Sequence, residues 1–397
     1  MSKLFKGFLV AIPLLGLASN DSRAQTQQVR KGCSEQRPVA NGGWFTSHQS
    51  DFTLINSIEH LERGIAYVSV RGLAWSPDGS KLAAYIDVGG EEIRVWRRDG
   101  AVVRTIKRQG DYEGESLGFI NGGNSLVAAP TSSDRVDLAF KVYNLDSGLT
   151  EMETLGAFSA GPLRLNAVGP FALSPDRKTL AAITAPMRTQ PVRLYREPTW
   201  TKRTPLPESV SGNTAVTAVS FSHDGRLLAV ARMDGNVLIY SLLTNTVIQH
   251  IEAFGPKEHI SADSLDFSKD DRSIYIGAGI AHSIPLGPDG NAMSGGRETL
   301  MKVDDALRVF NIETGNCTGA LTRLQQPIRK IRTSPLDGTV MFTDNAYRLY
   351  EWHPDSTKPA SMLLMRRSEI LDIEFSPDGQ SLALAEINRI SFFSPQH

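Results

Sequence analysis

Val219-Ser220-Phe221 runs into the turn Ser222-His223-Asp224-Gly225, then into Leu228-Ala229-Val230-Ala231, then through Met233-Asp234-Gly235-Asn236 into Val237-Leu238-Ile239-Tyr240. Apolar runs of this length, split by two turn-forming stretches, read as three consecutive antiparallel strands. The first turn carries its own chemistry: Asp can hydrogen-bond nearby backbone and Gly accepts a positive φ. Equivalent turns begin at Ser76, Ile120, Ser174, Ser268, Ser334 and Ser376. A period of roughly 40 to 50 residues is the mark of a repeat architecture and takes precedence over any local motif.

The flanking positions repeat as well. Before each turn, two residues apart, stand Leu73/Trp75, Leu117/Phe119, Phe171/Leu173, Val219/Phe221, Leu265/Phe267, Ile331/Thr333 and Ile373/Phe375. After it come runs such as Leu82-Ala83-Ala84, Leu180-Ala181-Ala182 and Leu382-Ala383-Leu384, small enough for a strand buried on both faces. The third strand ends in an aromatic in every unit: Trp96, Tyr143, Tyr195, Tyr240, Phe310, Tyr350 and Phe393. The pattern predicts an all-β fold, a seven-bladed β-propeller over residues 51–397. Only Ser394-Pro395-Gln396-His397 follow Phe393, so the last blade is one strand short. The stretch from Asp51 to Ile58 precedes the first repeat at the spacing of an outer strand, like Thr246 to Ile251 before blade 5, and is expected to close the ring.

With Met233-Asp234-Gly235-Asn236 and its terminal Tyr240, blade 4 resembles the WD-repeat propellers. That family closes its third strand with an aromatic, followed in its best examples by Asp. The resemblance extends over residues 51–397 and implies the fold, while saying little about function. The departures are specific. No blade carries the family's Gly-His dipeptide, and Arg97 follows Trp96 where Asp would stand. The side-chain hydrogen-bond network that ties each WD blade is therefore expected to be missing, and the repeats are WD-like in a degenerate form.

Lys3 and Lys6 precede an apolar run from Phe8 to Ala18, and Ser22-Arg23-Ala24 puts small residues at −3 and −1 of a cleavage site. Residues 1–24 thus read as a signal peptide and 25–50 as an N-terminal arm, in a bacterial periplasmic or secreted protein. The apolar run is too short for a membrane span of about 20 residues. Cleavage would remove three positive charges and one negative, taking the net charge from −1 to −3. With 42 Lys and Arg against 43 Asp and Glu there is no nucleic-acid footprint. In an exported chain Cys33 and Cys317 either form a disulfide or remain as one buried and one exposed thiol.

Gly114-Glu115-Ser116-Leu117-Gly118 matches a nucleophile elbow, which needs a strand-to-helix turn with a histidine and an acid beside it. Here Leu117 and Phe119 occupy inner-strand positions and no helix is expected, so no catalytic residue is assigned. The eight histidines show no close metal-ligand spacing, Asp270-Asp271 in a turn and Asp304-Asp305 beside a strand read as solvated charges, and no metal or cofactor is assigned. The longest departure from the repeat is an insertion at residues 281–304, between the second and third strands of blade 5. Second-to-third-strand loops share a face with the inter-blade connections. That face would gather Arg108, Tyr112, Arg135, Arg188, His259, His282 and Arg297 as candidate partner-binding residues. The expected function is an exported, non-enzymatic scaffold binding an unidentified protein partner. The alternative is a propeller enzyme, a lactonase-like hydrolase or an oxidoreductase, working at the mouth of the central channel.

Overall fold

Seven sheets are arranged in a ring in the computed structural model of the chain, five of them with strands in sequence order and two completed by a strand from the N-terminal region. The structure describes residues 33, 36–38, 52–59, 68–87, 91–107, 116–128, 137–138, 141–147, 150–152, 158–159, 171–183, 192–197, 200, 204–206, 214–255, 260–281, 306–322, 324, 326–356, 360–366 and 368–395. The signal segment 1–24 and most of the arm 25–50 lie outside them.

The chain begins with β1 (Gln36–Pro38) and β2 (Phe52–Glu59). Blade 1 is β3 (Ser69–Trp75), β4 (Lys81–Asp87), β5 (Glu91–Arg97) and β6 (Val102–Lys107). Blade 2 is β7 (Leu117–Ile120), β8 (Ser125–Ala128), β10 (Lys141–Asn144) and β11 (Thr150–Met152). A short strand β9 (Asp137–Leu138) in its second loop pairs with β12 (Phe158–Ser159). Blade 3 is β13 (Phe171–Leu173), β14 (Thr179–Ile183), β15 (Val192–Arg196) and β16 (Thr204–Pro205). Blade 4 is β17 (Val216–Phe221), β18 (Leu227–Arg232), β19 (Asn236–Ser241) and β20 (Thr246–Glu252). Blade 5 is β21 (Ile260–Phe267), β22 (Ser273–Ala281), β23 (Leu307–Asn311) and β24 (Cys317–Thr322). Blade 6 is β25 (Ile328–Thr333), β26 (Val340–Asp344), β27 (Arg348–Trp352) and β28 (Ser361–Met365). Blade 7 is β29 (Ile370–Phe375), β30 (Leu382–Glu386) and β31 (Arg389–Pro395), completed by β2.

The closing strand is in place: β2 runs antiparallel to β31, from Phe52 opposite Pro395 to Glu59 opposite Arg389, with a register shift between Leu54 and Asn56. Blade 5 gains a fifth strand, since β1 pairs parallel to β24, Gln36 opposite Ala320 and Pro38 opposite Thr322. Cys33 and Cys317 are disulfide-bonded, with Cα atoms 4.8 Å apart, which fixes the start of that added strand to blade 5. Strand β22 continues to Ala281, the first residue of the expected insertion, so the long stretch before β23 starts one residue later than expected.

Apolar burial lies in the seams between blades instead of in one centre. Ala74, Tyr85 and Val95 of blade 1 meet Phe119, Leu126 and Tyr143 of blade 2 in one cluster. Ile120, Val127 and Val142 of blade 2 meet Leu180, Tyr195 and Trp200 of blade 3 in another. The Leu-Ala-Ala runs sit here with no exposure at Ala83, Ala84, Ala181 and Ala182, because two sheets approach each other across the second strand. At roughly 2 kcal/mol for each large side chain removed from water, a seam of this kind holds neighbouring blades without any polar contact. The second glycine of the elbow-like motif has its reason in such a seam: a Cβ on Gly118 would lie 2.4 Å from Leu173 Cδ1 of blade 3. A single 3-10 turn, Asn121–Gly123, follows that strand in place of the helix a nucleophile elbow requires.

Candidate functional site

The turns joining the first and second strands form a ring at one end of the propeller. In blade 1, Ser76 Oγ donates to Asp78 Oδ1 at 2.6 Å and accepts from Lys81 N, while Asp78 Oδ1 accepts from Ser80 N. Hydrogen bonds from Ser76 and Ser80 hold the Asp78 carboxyl at about 2. The same Ser-Asp clasp recurs at Ser174–Asp176, Ser222–Asp224, Ser268–Asp270 and Ser376–Asp378. Neighbouring turns touch in a constant register. A Cβ on Gly79 would sit 3.7 Å from Pro377, one on Gly123 3.4 Å from Pro77, and one on Gly225 3.5 Å from Pro175. These are ordinary contact distances, so glycine is needed there for its positive φ and not for space.

Blade 5 departs from this pattern. Asp271, at φ +56, takes the glycine position and reaches into blade 4, accepting hydrogen bonds from His223 N at 2.8 Å, Asp224 N at 2.9 Å and the His223 ring at 2.9 Å. That hydrogen bond raises the pKa of His223, while burial lowers it less strongly. On Asp271 burial pulls upward, but the three donors together hold its pKa below the ordinary value. Asp271 is thus an inter-blade link, correcting its reading as a solvated turn charge.

The first strands line the central channel, where two cavities lie in series. The one at the turn end is about 340 Å³ and the other about 140 Å³; they share a waist of Leu73, Leu117, Phe171, Val219, Leu265 and Arg332. Charged side chains from several blades converge here. Arg332 Nε donates to Glu374 Oε2 at 2.6 Å, Lys330 pairs with Asp372 at 3.4 Å, and Arg329 with Glu369 at 3.7 Å. These three pairs form a ladder from blade 6 to blade 7. Against the pull of burial, Glu374, Asp372 and Asp266 keep Arg332 firmly charged. Asp266 accepts from Thr333 N of the next blade at 2.7 Å and from Phe267 N at 3.0 Å, and burial pushes its pKa up. Asp372 accepts from Leu73 N of blade 1 at 2.8 Å and from Ile373 N at 3.0 Å. Among the described residues, no group of three or more His, Cys, Asp or Glu side chains is arranged to hold a metal ion.

At the other end of the ring the polar network that the missing Gly-His pairs led us to expect absent is rebuilt from other residues. In blade 4, Thr214 Oγ1 donates to Asp234 Oδ2 at 3.1 Å, and Arg232 contacts both. In blade 6, Tyr350 donates to the buried Asp344 at 3.0 Å; burial, with Asp344 beside it, pushes the phenol up to about 12. In blade 7, Glu386 accepts from Ser391 at 2.6 Å and pairs with Arg366 at 2.7 Å and Arg389 at 2.9 Å. Each network ties the second strand or the turn after it to a neighbouring segment, the same task with different chemistry.

All seven candidate partner-binding residues, Arg108, Tyr112, Arg135, Arg188, His259, His282 and Arg297, lie outside the described residues, as do Asp304 and Asp305. Ser116 of the elbow-like motif sits at a blade seam: its Oγ accepts from Phe171 N and its carbonyl from Tyr85 Oη, both at 3.4 Å. The residues that converge in the channel, Arg177, Asp266, Arg332, Asp372 and Glu374, were not singled out by the sequence. Their signal was present as opposite charge at equivalent repeat positions, Lys330 and Arg332 against Asp372 and Glu374.

Comparison with known proteins agrees with this architecture. Residues 171–270, spanning blades 3 and 4 and the start of 5, match the family of the anaphase-promoting complex subunit 4 WD40 domain. A chain of the crystal structure of the mitotic checkpoint complex superposes with a TM-score of 0.61 at 14% identity, covering 86% of this chain and 91% of that one. No curated protein matches.

Proposed function

The chain is a WD-repeat-like seven-bladed propeller, and from that premise we propose that it is an exported, non-enzymatic scaffold. It binds a protein partner through the face that carries the second-to-third-strand loops and the inter-blade connections. The observation that carries this reading is the pairing of β9 with β12. One strand belongs to the second loop of blade 2 and the other to the connection from blade 2 to blade 3, so these two kinds of loop meet on one face. The 282–304 excursion leaves blade 5 by the equivalent loop and would add to that face. Propellers suit this task because a rigid ring displays variable loops. The mitotic checkpoint complex chain works within an assembly, which supports the reading by analogy of fold.

Export is supported by the disulfide between Cys33 and Cys317, since such bonds persist in oxidising compartments. Among the described residues no helix is long and apolar enough to cross a membrane. The enzyme alternative draws no support from the channel, where Asp266, Arg332, Asp372 and Glu374 are bonded to one another or to neighbouring backbone.

Affinity capture with the protein purified from a bacterial periplasmic extract tests both parts. N-terminal sequencing should begin at Gln25, and replacing residues 282–304 by a short Gly-Ser turn should abolish recovery of the specific partner. Recovery only in the cytoplasmic fraction with Met1 intact would sink export, and the same partner recovered by both forms would remove the insertion from the binding face.

A further inference from the structure

Arg177 occupies, in the turn of blade 3, the place held by Gly79, Gly225 and Gly379 in blades 1, 4 and 7, with the same left-handed backbone (φ +59 against +68, +71 and +68). A side chain in that region is strained, and an arginine has no local reason to accept it. Asp271, the other side chain at this place, is compensated by its three hydrogen bonds to blade 4. Arg177 is not: among the described residues no acceptor takes a hydrogen bond from its guanidinium, although it lines the 340 Å³ cavity at the turn end of the channel. The opposing charge that acts on it is Glu374, and that carboxylate is already engaged by Arg332 at 2.6 Å. The remaining charged groups lining the cavity are also committed, Asp266 to Thr333 N and Phe267 N, and His223 to Asp271.

The cavity therefore presents five unused, forked N–H donors in a half-buried setting, a geometry that matches a planar carboxylate. The lining is mixed, with polar groups such as Ser220, Ser222 and Thr333, and it supplies an apolar surface from Phe171, Leu173, Phe221 and Phe375. A volume of this size falls within the range of small-molecule sites.

We propose that the turn-end mouth of the channel binds a small carboxylic acid, its carboxylate held by Arg177 and its apolar body against Phe171, Leu173 and Phe221. The site lies at the opposite end of the channel from the loop face and does not depend on the partner reading.

Benzoate, which combines a carboxylate with one apolar ring, serves as the probe in isothermal titration calorimetry of the mature chain, with inorganic phosphate as the second ligand. Saturable binding of one benzoate per chain is expected, with phosphate weaker. Arg177→Gly should weaken benzoate at least tenfold while leaving the unfolding temperature unchanged or raised, because glycine is what three other blades use at this place. Arg177→Lys, which keeps the charge and loses the fork, should fall between. The proposal is overturned if wild type does not bind benzoate, if phosphate binds and benzoate does not, or if Arg177→Gly binds as wild type does. A fall in unfolding temperature with binding retained would assign Arg177 to the fold and overturn it equally.

Discussion

The seam between blades 6 and 7 and the seam between blades 2 and 3 hold the ring by different means. The first carries the ladder Arg329–Glu369, Lys330–Asp372 and Arg332–Glu374 beside an apolar cluster of Met341, Leu349, Ile373 and Leu382. The second relies on Ile120, Val127, Leu180, Tyr195 and Trp200, with strands of three to five residues near the channel. Apolar burial is non-directional, so it can hold two sheets together without deciding how far one slides along the other. Hydrogen-bonded ion pairs do resist that, because a slip would pull Arg332 off Glu374 and Lys330 off Asp372. The polar lacing thus adds to a seam whose blades are already joined by the short connection from Met365 to Ile370, in the blade that the chain's two ends complete together. Blades 2 and 3 are also successive along the chain, but the stretch from Met152 to Phe171 is longer and their seam is held by apolar packing.

The harshest way to break this comparison is to remove the strand that makes blade 7 composite. Deleting residues 52–59 leaves β31 as an open edge and strips seven paired positions. The loss should be on the order of 5 kcal/mol or more, comparable to the stability of many whole domains. Circular dichroism on heating should show a lost or strongly lowered transition. An unchanged midpoint would mean that the ring is closed by seam packing alone.

A milder comparison sets Arg332→Met against Gly118→Ala. The first leaves Glu374 facing Asp372 on its own strand and Asp266 across the channel, and should destabilise by about 2 kcal/mol, short of a fully buried pair because both partners keep roughly a third of their exposure. The second drives a methyl into Leu173, whose side-chain end can give way, and should cost about 1 kcal/mol. Salt separates the two. In 1 M NaCl, where screening acts within about 3 Å, the penalty of Arg332→Met should shrink and that of Gly118→Ala should not. Urea melts at low and high salt give both numbers, and equal salt dependence would sink the distinction between seams.

How far the sequence carried the fold follows from the same contrast. Blade number, strand order and the closing strand were legible because each rests on a position that recurs, such as the Ser-x-Asp clasp or the terminal aromatic. The charge ladder was not, because Arg332 and Glu374 are 42 residues apart and each looks like an ordinary solvated residue within its own strand. Only aligning blade 6 on blade 7 exposes the opposite signs. Asp271 was misread for a related reason, since a turn aspartate beside Asp270 looks exposed until the neighbouring turn is set against it. The channel-mouth arginine was visible as an exception, Ser174-Pro175-Asp176-Arg177 where glycine stands elsewhere. Its meaning needed the cavity.

The smallest effect tests whether lacing reaches the turn ring. Asp271→Gly would relieve a strained φ and so, on backbone grounds alone, should stabilise, as expected for Arg177→Gly. It also leaves His223 N, Asp224 N and the His223 ring without their acceptor, and that loss of about 1 to 2 kcal/mol should prevail at half-buried positions. The pH dependence follows from the two shifts. His223 has its pKa raised, so its share is complete below the ordinary value near 6.5 and is lost as pH rises through the folded value. Asp271 has its pKa lowered, so its share is complete above the ordinary 3.8 and is lost as pH falls through the folded value. The difference between wild type and Asp271→Gly should therefore be largest between roughly pH 4 and 6.5 and smaller at about pH 8, where the ring no longer carries its positive charge. Urea midpoints measured at pH 5.5 and 8 decide it. A pH-independent difference would mean the histidine adds nothing, and a more stable variant at both values would reduce the link between blades 4 and 5 to their apolar seam.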